Sequence, residues 1–174
     1  MDNLLILEDV LSKDECDNLI KSNTDLIVED LHSYHNYEFK DLDEWYNDEL
    51  FVRITDKIIE DYKIKFPSIN MTPFAWHLTS WRFKHFPKDH AFNTWHCEHS
   101  GRNPFRIACI LVYLSDHDCG TEFYANGEVV KSKAGRAIIF PAAWTHMHRG
   151  QYCPEKKDRY IMSAYIDYDF TGHG

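Results

Sequence analysis

The spacing of hydrophobic positions changes character partway along this chain. Up to about residue 70 the apolar residues fall at helical intervals. Leu11-Ser12-Lys13-Asp14-Glu15-Cys16 contains a capping box, with Ser12 as the cap, Glu15 three residues on, and Leu11 and Cys16 placed as a hydrophobic staple. Leu19 and Ile20 continue that apolar face. A second helix is predicted to start near 41–43, where acidic side chains suit the positive end of a helix dipole. Phe51, Ile54, Ile58 and Tyr62 share one face of it, and Pro67 marks its end.

From about Met71 onward the pattern becomes one of short strands. Ile107-Ala108-Cys109-Ile110-Leu111-Val112-Tyr113-Leu114 is an apolar run of strand length between polar residues. Further strands are predicted over 80–86, 121–124, 128–131, 136–140 and 159–167, and Asn126-Gly127 between two of them is a hairpin signal. Helices followed by many antiparallel strands predict an α+β chain whose core is a β-sandwich or jelly roll. We expect one domain over 1–174, with a helical part over about 1–70 and a β core over about 71–168.

Composition narrows the function classes. The 174 residues are 44% hydrophobic and 15% aromatic, the profile of a chain with a real core. A formal net charge of −9 disfavours a nucleic-acid partner, which needs a positive surface. The opening Met-Asp-Asn-Leu-Leu-Ile-Leu-Glu has neither the basic stretch nor the apolar core of a signal peptide. No run approaches the roughly 20 apolar residues of a membrane span. The five cysteines (Cys16, Cys97, Cys109, Cys119, Cys153) form no CxxC pair, so reduced thiols and a cytoplasmic location are the expectation.

Three segments carry candidate chemistry: Trp95-His96-Cys97-Glu98-His99, Thr145-His146-Met147-His148-Arg149-Gly150, and Lys157-Asp158-Arg159-Tyr160. In extended chain, residues two apart point the same way, so His96 and Glu98 can grip one cation while Cys97 faces away. A later histidine, His146 or His148, would complete two imidazoles and one carboxylate on one side of a metal. That arrangement leaves positions open and marks non-haem Fe(II) sites. By alternation Arg159, Ile161, Ser163 and Tyr165 share a face of the last strand, opposite Tyr160, Met162, Ala164 and Ile166. A face with Arg and Ser on it lines something polar.

Several motifs in fixed order resemble the prolyl-4-hydroxylase-like branch of the Fe(II)/2-oxoglutarate-dependent oxygenases, in particular its short bacterial or phage-type members. They are Trp95-His96-Cys97-Glu98, the run from Arg106 to Asp116, Gly120-Thr121-Glu122-Phe123, the run from Lys133 to Pro141, His148-Arg149-Gly150, and Arg159-Tyr160. The resemblance covers roughly residues 81–166 and, more loosely, 6–20. It implies a double-stranded β-helix (jelly roll, cupin-like) with the N-terminal helices packed on it. It also implies Fe(II) as the metal, 2-oxoglutarate and O2 as co-substrates, and ascorbate as an accessory for full activity. The product chemistry would be hydroxylation of a substrate C–H with release of succinate and CO2. The substrate class implied is a prolyl residue of a peptide or protein, or a small amino-acid-like molecule.

Position by position, the resemblance makes His96 and Glu98 the first two ligands, with Glu98 in place of the commoner Asp. A retained carboxylate argues against a halogenase. His-x-Gly followed by a basic residue selects His148 as the distal ligand, with His146 as the alternative. Arg159 becomes the partner of the far carboxylate of 2-oxoglutarate, a task suited to a planar guanidinium. Tyr113, Ser163 and His85 join it around the co-substrate. Trp95 and Arg106 are placed on the substrate rim, Arg106 having the opposite strand parity to Tyr113. Three rivals remain. A non-catalytic cupin-like binding module has no need of Arg159 and Tyr113. An oxygenase acting on modified nucleobases would be expected to carry a second arginine where Tyr165 stands. A structural zinc site would need His96, Cys97, His99 and Cys153, ligands without close pairing.

Overall fold

The first helix forms as its residues dictate. Ser12 Oγ accepts the Glu15 N–H at 3.2 Å and the Glu15 carboxylate accepts the Ser12 N–H at 2.8 Å, closing the capping box at the head of α1 (Lys13–Thr24). Leu11 and Cys16 are both buried against it. This computed structural model describes residues 1–24, 37–71 and 75–169; residues 25–36, within the span read as helical, lie outside them.

The N-terminal part is not wholly helical. Leu5–Leu7 is strand β1 and Glu38–Leu42 is strand β2, and both join the main sheet. The second helix, α2 (Glu49–Lys65), therefore starts later than the acidic run at 41–43 suggested, with Asp48 as the cap accepting the Leu50 N–H at 2.9 Å. Asp41 instead faces Arg82 across the β2–β3 pair and holds its guanidinium through two contacts, 2.6 and 2.9 Å. Pairing to a sheet edge has overridden a local helix signal.

The remaining strands are β3 (Ala75–Phe86), β4 (Arg106–Tyr113), β5 (Gly120–Phe123), β6 (Val129–Lys131), β7 (Ala137–Pro141), β8 (His148–Gly150) and β9 (Arg159–Asp169). A six-stranded antiparallel sheet runs β1-β7-β4-β9-β3-β2, and a three-stranded sheet runs β6-β5-β8. The Asn126-Gly127 turn joins β5 to β6, with Gly127 at φ +68°, a conformation glycine adopts without strain. This is a jelly roll with helices on one side.

Strand alternation builds two cores from the same strands. On one face of the large sheet, Trp81, Phe83, Ile110, Val112, Met162 and Ala164 pack with Phe51, Ile54, Ile58 and Tyr62 of α2. Trp81 Nε1 donates to Thr55 Oγ1 at 3.0 Å, so the buried indole is satisfied. On the other face, Phe86, Leu111, Tyr113, Ile138, Phe140 and Ile161 meet Phe123 and Val130 of the small sheet. The candidate site opens from this second layer.

One expectation is overturned outside the site. Cys119 and Cys153 are joined in a disulfide, with Cα atoms 4.9 Å apart, whereas all five thiols were expected to be free. The reason is topological: Cys119 just precedes β5, Cys153 just follows β8, and these strands pair with Thr121 opposite Gly150. A separation of 34 residues hid that proximity. No helix among the described residues is long and apolar enough to cross a membrane.

Candidate metal centre and its cavity

Two histidines distant in sequence are held opposite each other by main chain. The His96 N–H donates to the His148 carbonyl at 3.1 Å and the His148 N–H donates back at 2.9 Å, an antiparallel bridge that extends the small sheet by one position. Side chains across such a bridge leave the sheet on the same side. Glu98, two residues beyond His96, is anchored by its own N–H to the Ala142 carbonyl at 3.1 Å. Glu98 Oε1 then lies 3.5 Å from His96 Nε2 and 3.6 Å from His148 Nε2.

The donor set fits a divalent metal. Ligand atoms about 2.1 Å from a common ion sit roughly 3–3.5 Å from one another. Each imidazole has its other nitrogen committed: His96 Nδ1 donates to the Thr94 carbonyl at 2.8 Å, and His148 Nδ1 to the His146 carbonyl at 3.0 Å. Those carbonyls select the tautomer whose Nε2 lone pair faces the cluster. Burial pushes the His148 pKa down, against the pull of Glu98, so its neutral form is favoured. Burial pushes Glu98 up, but the His148 and His96 imidazoles and the Lys84 ammonium outweigh it, and the carboxylate is held anionic.

His146, the alternative ligand, is excluded from the cluster. It ends a short 3-10 turn (Trp144–His146) rather than lying on β8, so it does not share parity with His148. Its Nε2 donates to the Asp2 carbonyl at 2.8 Å. The zinc alternative also fails, because Cys153 is in the disulfide and the Cys97 thiol is turned to the His99 carbonyl.

The cluster opens into a cavity of about 510 Å³. Arg159, Ile161 and Tyr165 line it from β9, Tyr113 and Leu111 from β4, and Arg82, Lys84 and Phe86 from β3. Arg159 is 4% exposed. Its guanidinium stacks over the Phe86 ring at 4.7 Å and donates from Nη1 to Cys119 Sγ at 3.4 Å, while Nε has no partner. Among the described residues no carboxylate pairs with it. Burial lowers its pKa, yet a guanidinium does not give up its proton in a protein, so Arg159 is a buried cation. Tyr113 stands beside it, pushed up to about 12 by burial and donating to Thr121 Oγ1 at 2.8 Å. Gly150 is where it is for space: a Cβ there would come within 3.1 Å of Arg159 Nη2.

Four expectations need correction. His85 does not face the cavity; it stacks on Tyr160 and its ring nitrogens meet Glu38 at 2.7 Å and Asp158 at 3.0 Å. Alternation along β3 turns its neighbours Lys84 and Phe86 inward instead. Trp95 is not on the rim: adjacent to His96, it points the other way and packs against Tyr124 and Arg149. Ser163 lies on the cavity face but is sealed beneath it, fully buried with an Oγ that has no partner. Arg106 goes deeper than the rim. The β4–β9 register shifts between Arg106 and Ala108, which reverses its parity and sends the guanidinium over the Tyr165 ring at 3.7 Å, with Nη1 3.5 Å from Glu98 Oε2.

Arg82, Lys84 and Phe86 were missed in the sequence. The signal was available, since Ser80, Arg82 and Lys84 put polar residues on one face of β3 just as Arg159 and Ser163 do on β9.

No sequence-family profile and no curated protein matches the chain. Solved structures do match by shape. A viral collagen prolyl hydroxylase from Paramecium bursaria Chlorella virus-1, in complex with 2-oxoglutarate, superposes with a TM-score of 0.67 at 18% identity, covering 95% of this chain and 96% of its own. A prolyl-4-hydroxylase from Pseudomonas putida gives 0.70 at 12% identity over 96% and 93%. HygX from Streptomyces hygroscopicus, with nickel and 2-oxoglutarate bound, gives 0.66 at 13% identity over 97% and 84%. The chain therefore has the jelly-roll fold found in 2-oxoglutarate-dependent oxygenases.

Proposed function

We propose that this protein is an Fe(II)- and 2-oxoglutarate-dependent oxygenase that hydroxylates a C–H bond of a small amino-acid-like molecule or a peptide side chain. One observation carries the reading: a metal-competent His96–Glu98–His148 cluster shares its cavity with Arg159, a buried guanidinium that has no anionic partner among the described residues. A plain metal-binding module has no use for that second feature. The resemblance and the shared fold point the same way, and solved proteins of this fold include one in complex with a peptide fragment and one with hygromycin B bound.

In this reading His96 and His148 present Nε2 and Glu98 presents Oε1 to the iron, and Arg106 steadies the remaining Glu98 oxygen. Arg159 would hold the far carboxylate of 2-oxoglutarate through its guanidinium, with Tyr113 beside it. Phe86, Leu111 and Ile161 keep water from the buried guanidinium and strengthen that pairing. Bound iron would supply the oxidative chemistry by which O2 gives one oxygen atom to 2-oxoglutarate, yielding succinate and CO2, and the other to the substrate C–H as hydroxyl.

The test combines metal analysis with thermal shift. Wild-type protein should bind one Fe(II), Mn(II) or Ni(II) per chain, and His96→Ala and His148→Ala should lose tight binding while His146→Ala keeps it. With Mn(II) present and O2 excluded, 2-oxoglutarate at 100 times its dissociation constant should stabilise the protein by about 2.7 kcal/mol. Arg159→Ala should lose that response and Arg159→Lys should retain part of it, because lysine keeps the charge but not the fork. An unchanged response in Arg159→Ala would return the protein to the binding-module reading.

A further inference from the structure

The cavity holds a second cation for which the proposed co-substrate has no use. Lys84 is 8% exposed, on the inward face of β3, and lines the same cavity as the cluster. Among the described residues its Nζ has no hydrogen bond and no ion pair; it lies 5.1 Å from the centre of the Tyr37 ring. Apart from Arg159, the other cavity cations are answered: Arg82 is bound by Asp41, and Arg106 is paired with Asp167 while also approaching Glu98. Lys84 remains charged despite its burial, with Tyr165, Tyr37 and Glu98 favouring the ammonium. A buried ammonium with no ion pair in contact among the described residues leaves its hydrogen-bonding capacity unused, and such groups persist where a ligand completes them.

The charges can be followed through the proposed reaction, on which this inference rests. The iron and Glu98 leave one positive charge, and Arg159 and Lys84 add one each. The dianion 2-oxoglutarate removes two, so one positive charge is left over. Arg159 sits opposite Phe86 in the β3–β9 register, whereas Lys84 sits opposite Ile161, toward Tyr165 and Glu98. Lys84 is thus on the metal's side of the cavity, where the reacting substrate must come. A cavity of about 510 Å³ that also admits a co-substrate suits a small molecule. We infer that the substrate is a small carboxylic acid, in the manner of a free amino acid, whose carboxylate pairs with Lys84 while Tyr37 and Tyr165 flank its body.

The experiment uses the Mn(II)-loaded protein under anaerobic conditions. The 2-oxoglutarate response of the wild type is read first; its absence fells the oxygenase reading and this inference with it. The Mn(II)–2-oxoglutarate complex is then titrated with each of the common L-amino acids, with the corresponding primary amides, and with an uncharged proline-rich peptide. At least one free acid should raise the melting temperature and bind about tenfold or more tightly than its amide, as expected for loss of a charge-assisted bond. That preference should vanish in Lys84→Met and survive in Lys84→Arg. With O2 admitted, the same acid should stimulate succinate formation in the wild type. Equal binding of acid and amide, a response to the peptide alone, or no response to any acid overturns the inference and leaves the oxygenase reading standing. So does loss of the 2-oxoglutarate response itself in Lys84→Met, which would give Lys84 to the co-substrate.

Discussion

A single methylene or a single parity decides much of this site. Gly150 leaves room for the Arg159 guanidinium, which a Cβ would approach to 3.1 Å. The contact is with the end of a flexible side chain, so Gly150→Ala should leave folding nearly unchanged and displace the clamp instead. We expect 2-oxoglutarate to bind roughly tenfold more weakly to Gly150→Ala, with metal content unaltered, as read by isothermal titration with Mn(II) bound. Equal losses of metal and 2-oxoglutarate would show that His148, two residues away, had moved as well. Arg106 offers a complementary case. Its Nη1 approaches the Glu98 oxygen not facing the histidines, and groups that orient a ligand in this way typically matter 10–100-fold for metal affinity. Arg106→Met should therefore weaken Mn(II) by about that factor, and a competition assay with a chelator would reveal an unchanged affinity if the contact were idle.

At the scale of elements, the strands serve two cores at once, and the helices matter because they close the one without the site. The Trp81–Thr55 hydrogen bond ties β3 to α2 inside that core. Thr55→Val keeps the shape but leaves the indole N–H unsatisfied, which should cost about 1–3 kcal/mol in denaturant unfolding. A cost near zero would mean that the indole finds another acceptor. Because the face of β3 that carries Trp81 and Phe83 is opposite the face that carries Lys84 and Phe86, the variant should retain its metal stoichiometry. Ser12→Ala, at the exposed capping box, should cost about 1 kcal/mol for the same helical layer.

For the molecule as a whole, the disulfide and the cavity meet at one atom. Cys119 Sγ accepts from Arg159 Nη1, so the bond that staples the β5 and β8 ends also supports the candidate clamp. Closing a loop of this length restricts the unfolded chain by roughly 3–4 kcal/mol in the loop-entropy account. Cys153→Ser should lower stability to unfolding by up to that amount and, in addition, reduce the thermal response to 2-oxoglutarate. Identical unfolding of the wild type with and without a reductant would show that the pair contributes little. The net charge of −9 contrasts with a cavity lined by Arg82, Lys84, Arg106 and Arg159. The bulk charge bears on macromolecular partners, whereas the local cations bear on what enters the cavity.

Local rules carried the sequence a long way here. Ser12 and Glu15 define a helix start through groups within one turn of each other, and the alternation along Arg159–Asp169 separates a polar face from an apolar one within a single strand. His96 and Glu98 point together for the same reason. Each of these relations spans a few residues and is enforced by backbone geometry, so it can be read without the fold. Other features depend on which strand lies beside which. The 41–43 acids became part of a strand and its turn because β3 offered an edge. Arg106 reached Glu98 because a register shift against β9 reversed its side. Cys119 met Cys153 because β5 pairs with β8, and His148 rather than His146 joined the cluster because its backbone bridges to His96. The sequence alone determined the cap of the first helix, most of the strands and the ligand types. Only the tertiary structure decided their partners, since those are set by the packing of segments tens of residues apart, where local periodicity carries no information.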